Sequence, residues 1–415
     1  MRAFILSALL LFVLGSLPAG AEDRPWTDRL RLSGLAETIQ SFRLSDTSDQ
    51  VTSRLHARLE LGADLDLAYV FVSADAEKNW KIPSETGTSI HEAWVEHVHD
   101  GWDIRAGRQI IIWGKADGVQ ITDIICPPDN TEALIRDLDE IRRPVDALRF
   151  RLLRGSVDAE AIWIPVFRPA KLPESGTPWA VERTPGPGRV DMADTDEPGS
   201  GLENSEIALK ISAYLPGVDV AASVFHTWDN FPAMHRDLVR DGGETKLRVR
   251  PKHHRLTVYG LEFSRPWSDF VFRGEAAWYA GRYFEHGRPE QGPRPKDALK
   301  WLGGVDWTPG DDWTVIAQIF GQSIAGHGGE LAAPEHDVSA SLNISKSMLR
   351  QTLTLSNMLY FHFNEGDFLN RVKADYELRD GLHLLAGLDF FGGGDTGFGV
   401  YEDNSQAWIK LKYNF

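Results

Sequence analysis

Residues Ala407–Phe415 read AWIKLKYNF. Ala407, Ile409, Leu411, Tyr413 and Phe415 share one parity, while Trp408, Lys410, Lys412 and Asn414 share the other. A period of two marks a β-strand with one apolar and one polar face. Chain ends ordinarily fray into polar tails. Here the pattern holds to the last residue, which calls for a strand that is itself paired along its whole length.

The alternation recurs upstream. In 51–65, Leu55, Ala57, Leu59, Leu61, Ala63 and Leu65 alternate with Arg54, His56, Arg58, Glu60 and Asp64. In 268–280, Phe270, Phe272, Gly274, Ala276 and Trp278 oppose Arg273, Glu275 and Tyr279. Residues 353–363 and 366–378 repeat the scheme, with Arg371, Lys373, Asp375 and Glu377 on the polar face of the second. Such runs exceed the roughly 5–6 residues of an ordinary soluble strand. They match the roughly 9–11 that cross a bilayer at a tilt.

Counting from Leu30 gives eighteen candidate strands, with sixteen as the alternative because the third, fourth and sixth are weakly patterned. Longer links fall near 43–50, 77–89, 116–144, 167–203, 229–252, 282–297, 323–336, 364–367 and 392–404. Between them lie tight turns at Leu65-Asp66, His99-Asp100-Gly101, Arg154-Gly155-Ser156, Pro216-Gly217, Arg265-Pro266-Trp267, Pro309-Gly310-Asp311, Lys346-Ser347-Met348 and Arg379-Asp380-Gly381. Gly, Pro and Asp at most of these points are hairpin chemistry. Long links on one side, short turns on the other and both termini on the short side predict an all-β fold: a transmembrane antiparallel up-and-down β-barrel. A closed barrel also explains the ending, because its last strand must pair with its first.

At the other terminus, Met1-Arg2, an apolar run over Ala3–Leu17 and Ala19-Gly20-Ala21 predict a secretory signal peptide at 1–21, with the barrel domain at 22–415. Removing 1–21 takes away Arg2 and no acid, so the formal charge of -16 becomes -17. That acidity speaks against nucleic acid as a partner. Cys126 is the sole cysteine, so no intramolecular disulfide forms, and there is no CxxCH for covalent haem.

An alternating last strand with a terminal phenylalanine, Phe415, after a signal peptide resembles the outer-membrane β-barrel porins of Gram-negative bacteria. The resemblance implies a place in the cell outer membrane, contact with its lipids and passage of small-molecule solutes. It also implies recognition by the barrel-assembly machinery through the last strand, which is read by strand addition. It implies no cofactor, and leaves monomer and oligomer open. In trimeric porins the third loop folds into the lumen, so 116–144 is expected to do likewise and constrict the channel. Within 116–144, Leu134, Ile135, Leu138 and Ile141 fit a short helix capped by Asn130 or Thr131. Gly107-Arg108-Gln109, Trp113-Gly114, Asp117, Asp123, Pro128 and Asp129 resemble the alginate-export type of barrel, which implies eighteen strands and anionic cargo. Those barrels are arginine-lined, whereas this chain is acidic.

Parity places Arg54, Arg58, Arg149, Arg151, Lys210, Arg273, Lys300, Arg371, Lys373, Lys410 and Lys412 on the lumen wall, against Glu60, Asp64, Glu275, Asp375 and Glu377. A basic wall would favour anions; paired charges in a solvated wall are the alternative. Arg136, Arg142 and Arg143, with Asp123, Asp129 and Asp137 or Asp139 opposite, are candidates for a transverse field at the constriction. Salt bridging that only folds the loop is the competing account. Cys126 reads as a small buried residue rather than a reactive thiol. The Asp191–Glu197 run reads as a solvated acidic loop rather than a Ca²⁺ site. Trp94, Trp113, Trp163, Trp278, Trp301, Trp307, Trp313 and Trp408 are expected in interfacial girdles, with sugar stacking by Trp113 or Trp408 as the minority reading.

The function expected is a passive channel for small hydrophilic, anionic solutes, and no enzyme. The alternatives are a barrel partner in a multi-protein export or electron-transfer conduit and a barrel-embedded hydrolase. The last is disfavoured by the absence of GxSxG and HExxH.

Overall fold

Alternating segments of this length can satisfy their backbone in a bilayer only by pairing with neighbours and closing on themselves. In a computed structural model, which describes residues 26–415 except 133–134, 137, 182–188, 242–243 and 289, they do so. The predicted signal peptide lies outside the described residues.

The first wall strands are β1 (Leu30–Arg43), β2 (Gln50–Asp64), β3 (Tyr69–Asn79), β4 (Gly87–His99), β5 (Trp102–Gln109), β6 (Val145–Arg154) and β7 (Val157–Ile164). After β8 (Arg189–Met192), which lies outside the wall, come β9 (Glu206–Leu215) and β10 (Val218–Trp228). Then β11 (Ala233–Asp241) and β12 (Glu244–Lys252) form a hairpin away from the wall. The wall resumes with β13 (Arg255–Trp267), β14 (Phe270–Phe284), β15 (Arg294–Gly310), β16 (Trp313–Ile324) and β17 (His336–Met348). It ends with β18 (Leu353–His362), β19 (Phe368–Arg379), β20 (Leu382–Gly392) and β21 (Gln406–Asn414).

The wall is one 18-stranded sheet, so the count is eighteen and not sixteen. β21 pairs antiparallel with β1 from Leu35↔Asn414 to Arg43↔Gln406. Beyond the ladder, Phe415 exchanges two backbone hydrogen bonds with Gly34, at 2.9 and 3.0 Å. The two faces are chemically opposite. Leu55, Leu59, Leu61, Ile207, Leu209, Ile211, Ile409 and Leu411 are exposed on the outside, whereas Arg54, His56, Ala208 and Lys410 on the same strands are buried inside. In water such an exterior would aggregate; against lipid it is solvated. On the short-turn rim Trp267, Trp307 and Trp313 are exposed, and Phe270 stacks on Trp307 at 5.9 Å. Trp94, Trp113 and Trp408 do not join such a girdle. Arg105 lies over Trp94 at 3.8 Å, Trp113 is buried in a loop, and Trp408 shares the lumenal parity of buried Lys410 and Gln406.

Three short turns differ from expectation. β13 runs through Pro266 and Trp267, and the chain reverses at Ser268, whose φ is +53°. Between β15 and β16 the positive-φ residues are Gly310, Asp311 and Asp312. After β17 the turn is Leu349, Arg350 and Gln351, all at positive φ and without a glycine or proline to announce them. The long segments also hold unpredicted structure: β12 pairs antiparallel with β11 and parallel with β8, making a three-stranded sheet on the long-loop side.

Two long-side loops return into the barrel. L3 (110–144) buries Ile111, Trp113, Ile125 and Cys126 against Val145, Ala147, Ile162, Ile164 and Ala208 of the inner wall. Further along, Ile121 packs with Leu256, Val258, Ala277 and Tyr279. L4 (165–205) seats Trp179 against Phe391, Leu369 and Ile135. Among the described residues of L3, helix runs over Leu138–Ile141 and does not include Ile135; Leu134 lies outside the described residues. Asp129 bonds the Thr131 amide and hydroxyl, making a local turn in place of the expected helix cap.

Candidate functional site

β14 points Arg273, Glu275 and Tyr279 inward, and L3 lands on them. Glu275 accepts the amides of Lys115, Ala116 (2.6 Å) and Thr122 (3.1 Å), and the Thr122 hydroxyl at 2.8 Å. Tyr279 donates its hydroxyl to the Ile121 carbonyl at 3.0 Å, and Arg273 donates to the Lys115 carbonyl at 2.9 Å. Gln318 on β16 grips the Asp117 backbone twice, accepting its amide at 3.0 Å and donating to its carbonyl at 2.7 Å. These bonds satisfy loop amides that are shielded from bulk water, where an unpaired group would be costly.

The far end of L3 is tied to another part of the wall. Arg54 on β2 is 1% exposed and reaches Glu37 of β1 at 3.0 Å and Glu140 of L3 at 2.9 Å. Arg136 of L3 bonds Glu77 on β3 and Glu132 of its own loop, each at 3.2 Å. Burial works to raise the Glu140 carboxyl, but Arg54, then Lys410 and Arg136, more than offset it and hold it at about 2. Glu132 and Asp123 are pushed up by burial despite nearby arginines. Glu37, His56 and Glu140 converge closely enough to suggest metal ligands. Arg54 already bridges the two glutamates and Lys410 sits 3.7 Å from Glu37, so the cluster is neutralised by the chain's own cations.

The predicted residues are placed as follows. Arg54, Arg58, Arg149, Arg151, Arg273, Arg371, Lys373, Lys410 and Lys412 all take the inward parity of the barrel. The expected eleven-to-five basic excess on the wall is corrected, because further acids share the inner face and hold most of these cations. Arg58 bonds Asp75 at 2.7 Å, Arg149 reaches Glu96 at 3.3 Å, Arg151 bonds Asp103 at 2.8 Å, and Lys210 bonds Glu262 at 2.7 Å. Arg273 pairs with Asp306, and Arg371 with Asp389 at 2.6 Å. Lys300 instead lies over the Tyr279 ring at 4.9 Å. Lys373 and Lys412 form no ion pair among the described residues.

The transverse field is likewise corrected. Asp123 does not face Arg142 across a gap but bonds it at 2.8 Å, and its other oxygen accepts the Trp113 amide at 3.1 Å. Asp129 lies 3.8 Å from Lys171, and Arg143 donates to the Pro169 carbonyl. These bonds fold L3 and fasten L4 to it. Asp137 and the Asp139 side chain lie outside the described part of the structure. Asp191 and Asp196 bond Arg248 and Lys252, each at 3.0 Å, as surface ion pairs. Cys126 is buried, and burial pushes its thiol up to about 12.

Among the described residues, three spaces inside the barrel stand out. One of about 240 Å³ lies between Ile111–Lys115 and the β6–β10 wall. A second, of about 410 Å³, lies between β2–β4 and L2 (80–86), L3 and L4. Arg58, Arg108, Arg136, Arg142, Arg143, Arg168 and Lys171 line it, against Asp75, Glu77, Glu85, Asp129 and Glu140. A third, of about 890 Å³, lies between β16–β19 and L3, L4 and L9 (393–405). Its lining includes Phe320, Met358, Tyr360, Phe398 and Tyr401. Sequence reasoning missed the anchoring roles of Gln318, Glu37, Glu77 and Glu140. An inward-parity Gln or Glu opposite a loop rich in unpaired amides is the signal that would have found the first.

A single closed meander of eighteen strands, lipid-apolar outside and loop-filled within, defines the outer-membrane porin class of fold. Within that class the chain belongs to the family described as "Protein of unknown function (DUF1302)", whose model matches residues 73–415. Among solved structures, Acinetobacter baumannii OccAB1 is similar at 9% identity, covering 93% of this chain and 95% of that one with a TM-score of 0.52. The Salmonella typhi OmpF complex with daunomycin is similar at 9% identity over 93% and 97%, with a TM-score of 0.48. The outer membrane channel DcaP of A. baumannii is similar at 9% over 93% and 97%, with a TM-score of 0.46. At 9% identity the likeness to OccAB1 establishes fold alone. No curated protein sequence matches the chain.

Proposed function

We propose that the chain is an outer-membrane channel for small hydrophilic solutes that favours anions. In this reading residues 1–21 export it and the strand ending at Phe415 guides its insertion. L3, with 116–144 at its heart, sets the constriction. The observation that carries the anion preference is the 410 Å³ space beside L3, where seven Arg and Lys side chains meet five acids. Most of these cations are paired, Arg142 and Arg108 with Asp123 and Asp146 behind the lining, but the charge that faces the space itself is more cationic than anionic, which favours anions. L3 and L4 occupy the space that a threaded protein partner would need, which weighs against a conduit sheath.

The test is the reversal potential of the purified barrel in planar bilayers under a KCl gradient. An anion/cation permeability ratio above one supports the preference, and a ratio below one refutes it. Failure to conduct at all refutes the channel.

A further inference from the structure

The 890 Å³ space differs in chemistry from the other two. β18 rises to His362 at the long-loop rim and β19 descends from Phe368, in the register Tyr360↔Leu369, Met358↔Arg371 and Ser356↔Lys373. The inward groups therefore change with depth. At the top, Tyr360 and Phe398 lie 6.1 Å apart between centroids, roofed by Tyr401, whose hydroxyl bonds the Trp179 carbonyl at 3.3 Å. Below come Met358 and Arg371. Lys373 lies lower again, four residues past Leu369, or roughly 13 Å along the strand.

The charges in this space are mostly spent. Asp389 holds Arg371, and Asp337 and Asp367 flank His362. Lys373 is the one lining cation with no ion pair among the described residues. Asp117 on L3 also lines the space and has no ion pair among the described residues, so it repels a second carboxylate. A volume of this size suits a small organic ligand. An aromatic-walled upper part favours an apolar body, and a half-buried lysine with no ion pair among the described residues favours one anionic group.

We propose that this space binds an organic monocarboxylate with an aromatic or alicyclic body, its ring among Tyr360, Phe398 and Met358 and its carboxylate on Lys373. The inference rests on the channel reading above and names the solute class for it. The test is calorimetric titration of the full barrel in detergent with 3-phenylpropionate, acetate, phenylsuccinate, 3-phenylpropanol and phenylalanine, alongside bilayer conductance. Phenylpropionate should bind best, and acetate, the dicarboxylate and the alcohol at least about tenfold more weakly. Lys373→Gln should lower phenylpropionate affinity about tenfold, Lys373→Arg should restore most of it, and Tyr360→Leu should weaken phenylpropionate binding more than acetate binding. Equal affinity for acetate, tighter binding of phenylalanine, or indifference to Lys373→Gln in a folded barrel would overturn the proposal. Binding without conductance would sink the channel but not the site; conductance without selective binding would sink the site alone.

Discussion

Glu275 of β14 takes the Thr122 hydroxyl of L3 at 2.8 Å, on a stretch of wall six strands round from β5, which L3 leaves. The same carboxylate holds three further L3 amides. Glu275→Ala should orphan all four donors and loosen the seated loop by an amount on the order of 3 kcal/mol. The expected outcome is larger, noisier single-channel conductance and faster proteolysis within L3, from a barrel of unchanged β-content. Unchanged conductance with L3 demonstrably released would show that the loop does not limit flow.

Acid should release the opposite anchor. The Glu140 carboxyl is depressed in the folded protein, so its pairing with Arg54 contributes fully above about pH 4.5 and is lost as pH falls towards about 2. For Asp123 the sign reverses: burial raises it, so its ionisation works against the seated loop as pH rises through its folded value. Conductance measured from pH 7 to pH 2 should step upward at the acid end, and Glu140→Gln should remove most of that step.

The Cys126 thiol, held at about 12 by burial, should not react with iodoacetamide in the folded barrel at pH 8. Full labelling is expected only after heat denaturation. Mass spectrometry of the two samples decides it, and labelling of the native protein would mean that L3 opens.

Closure depends on little space at one point. A Cβ on Gly34 would lie 2.4 Å from the Arg58 carbonyl and 2.7 Å from the Phe415 ring. Gly34→Val should therefore cut the yield of folded barrel several-fold, read as heat-modifiable mobility after refolding. Deleting Phe415 removes two backbone hydrogen bonds at the seam and should give a smaller defect of the same kind.

The wall was legible because lipid and water impose opposite chemistries on alternate residues, and no tertiary context can hide that for long. Residues 51–65 and 407–415 announce their faces directly. The fourth strand was faint for a physical reason: β3 and β4 slip register between Ser73 and Ala74, so His91 and Glu92 both turn inward and parity breaks. The turn at Leu349–Gln351 was misplaced by three residues because its left-handed backbone is adopted without glycine.

The interior was less legible. Parity says that Arg54 and Glu275 face inward, but Glu140 and Thr122, which they hold, lie on a loop, where no period ties a residue to a position in space. The acids that neutralise the wall were undercounted for a related reason. Asp75 and Glu77 sit on the weakly patterned β3, and Asp103 on the short β5, so no clean face revealed them.

L3 is bonded at one end to β14 and β16 and at the other to β2 and β3, which makes it a strut across a thin-walled tube. An unbraced hoop of eighteen strands flattens readily under sideways load, since bending a sheet costs little compared with stretching it. A crosspiece pinned on two sides resists that flattening directly. The segment that enters the bore thus also keeps it round, and changing the one cannot leave the other untouched.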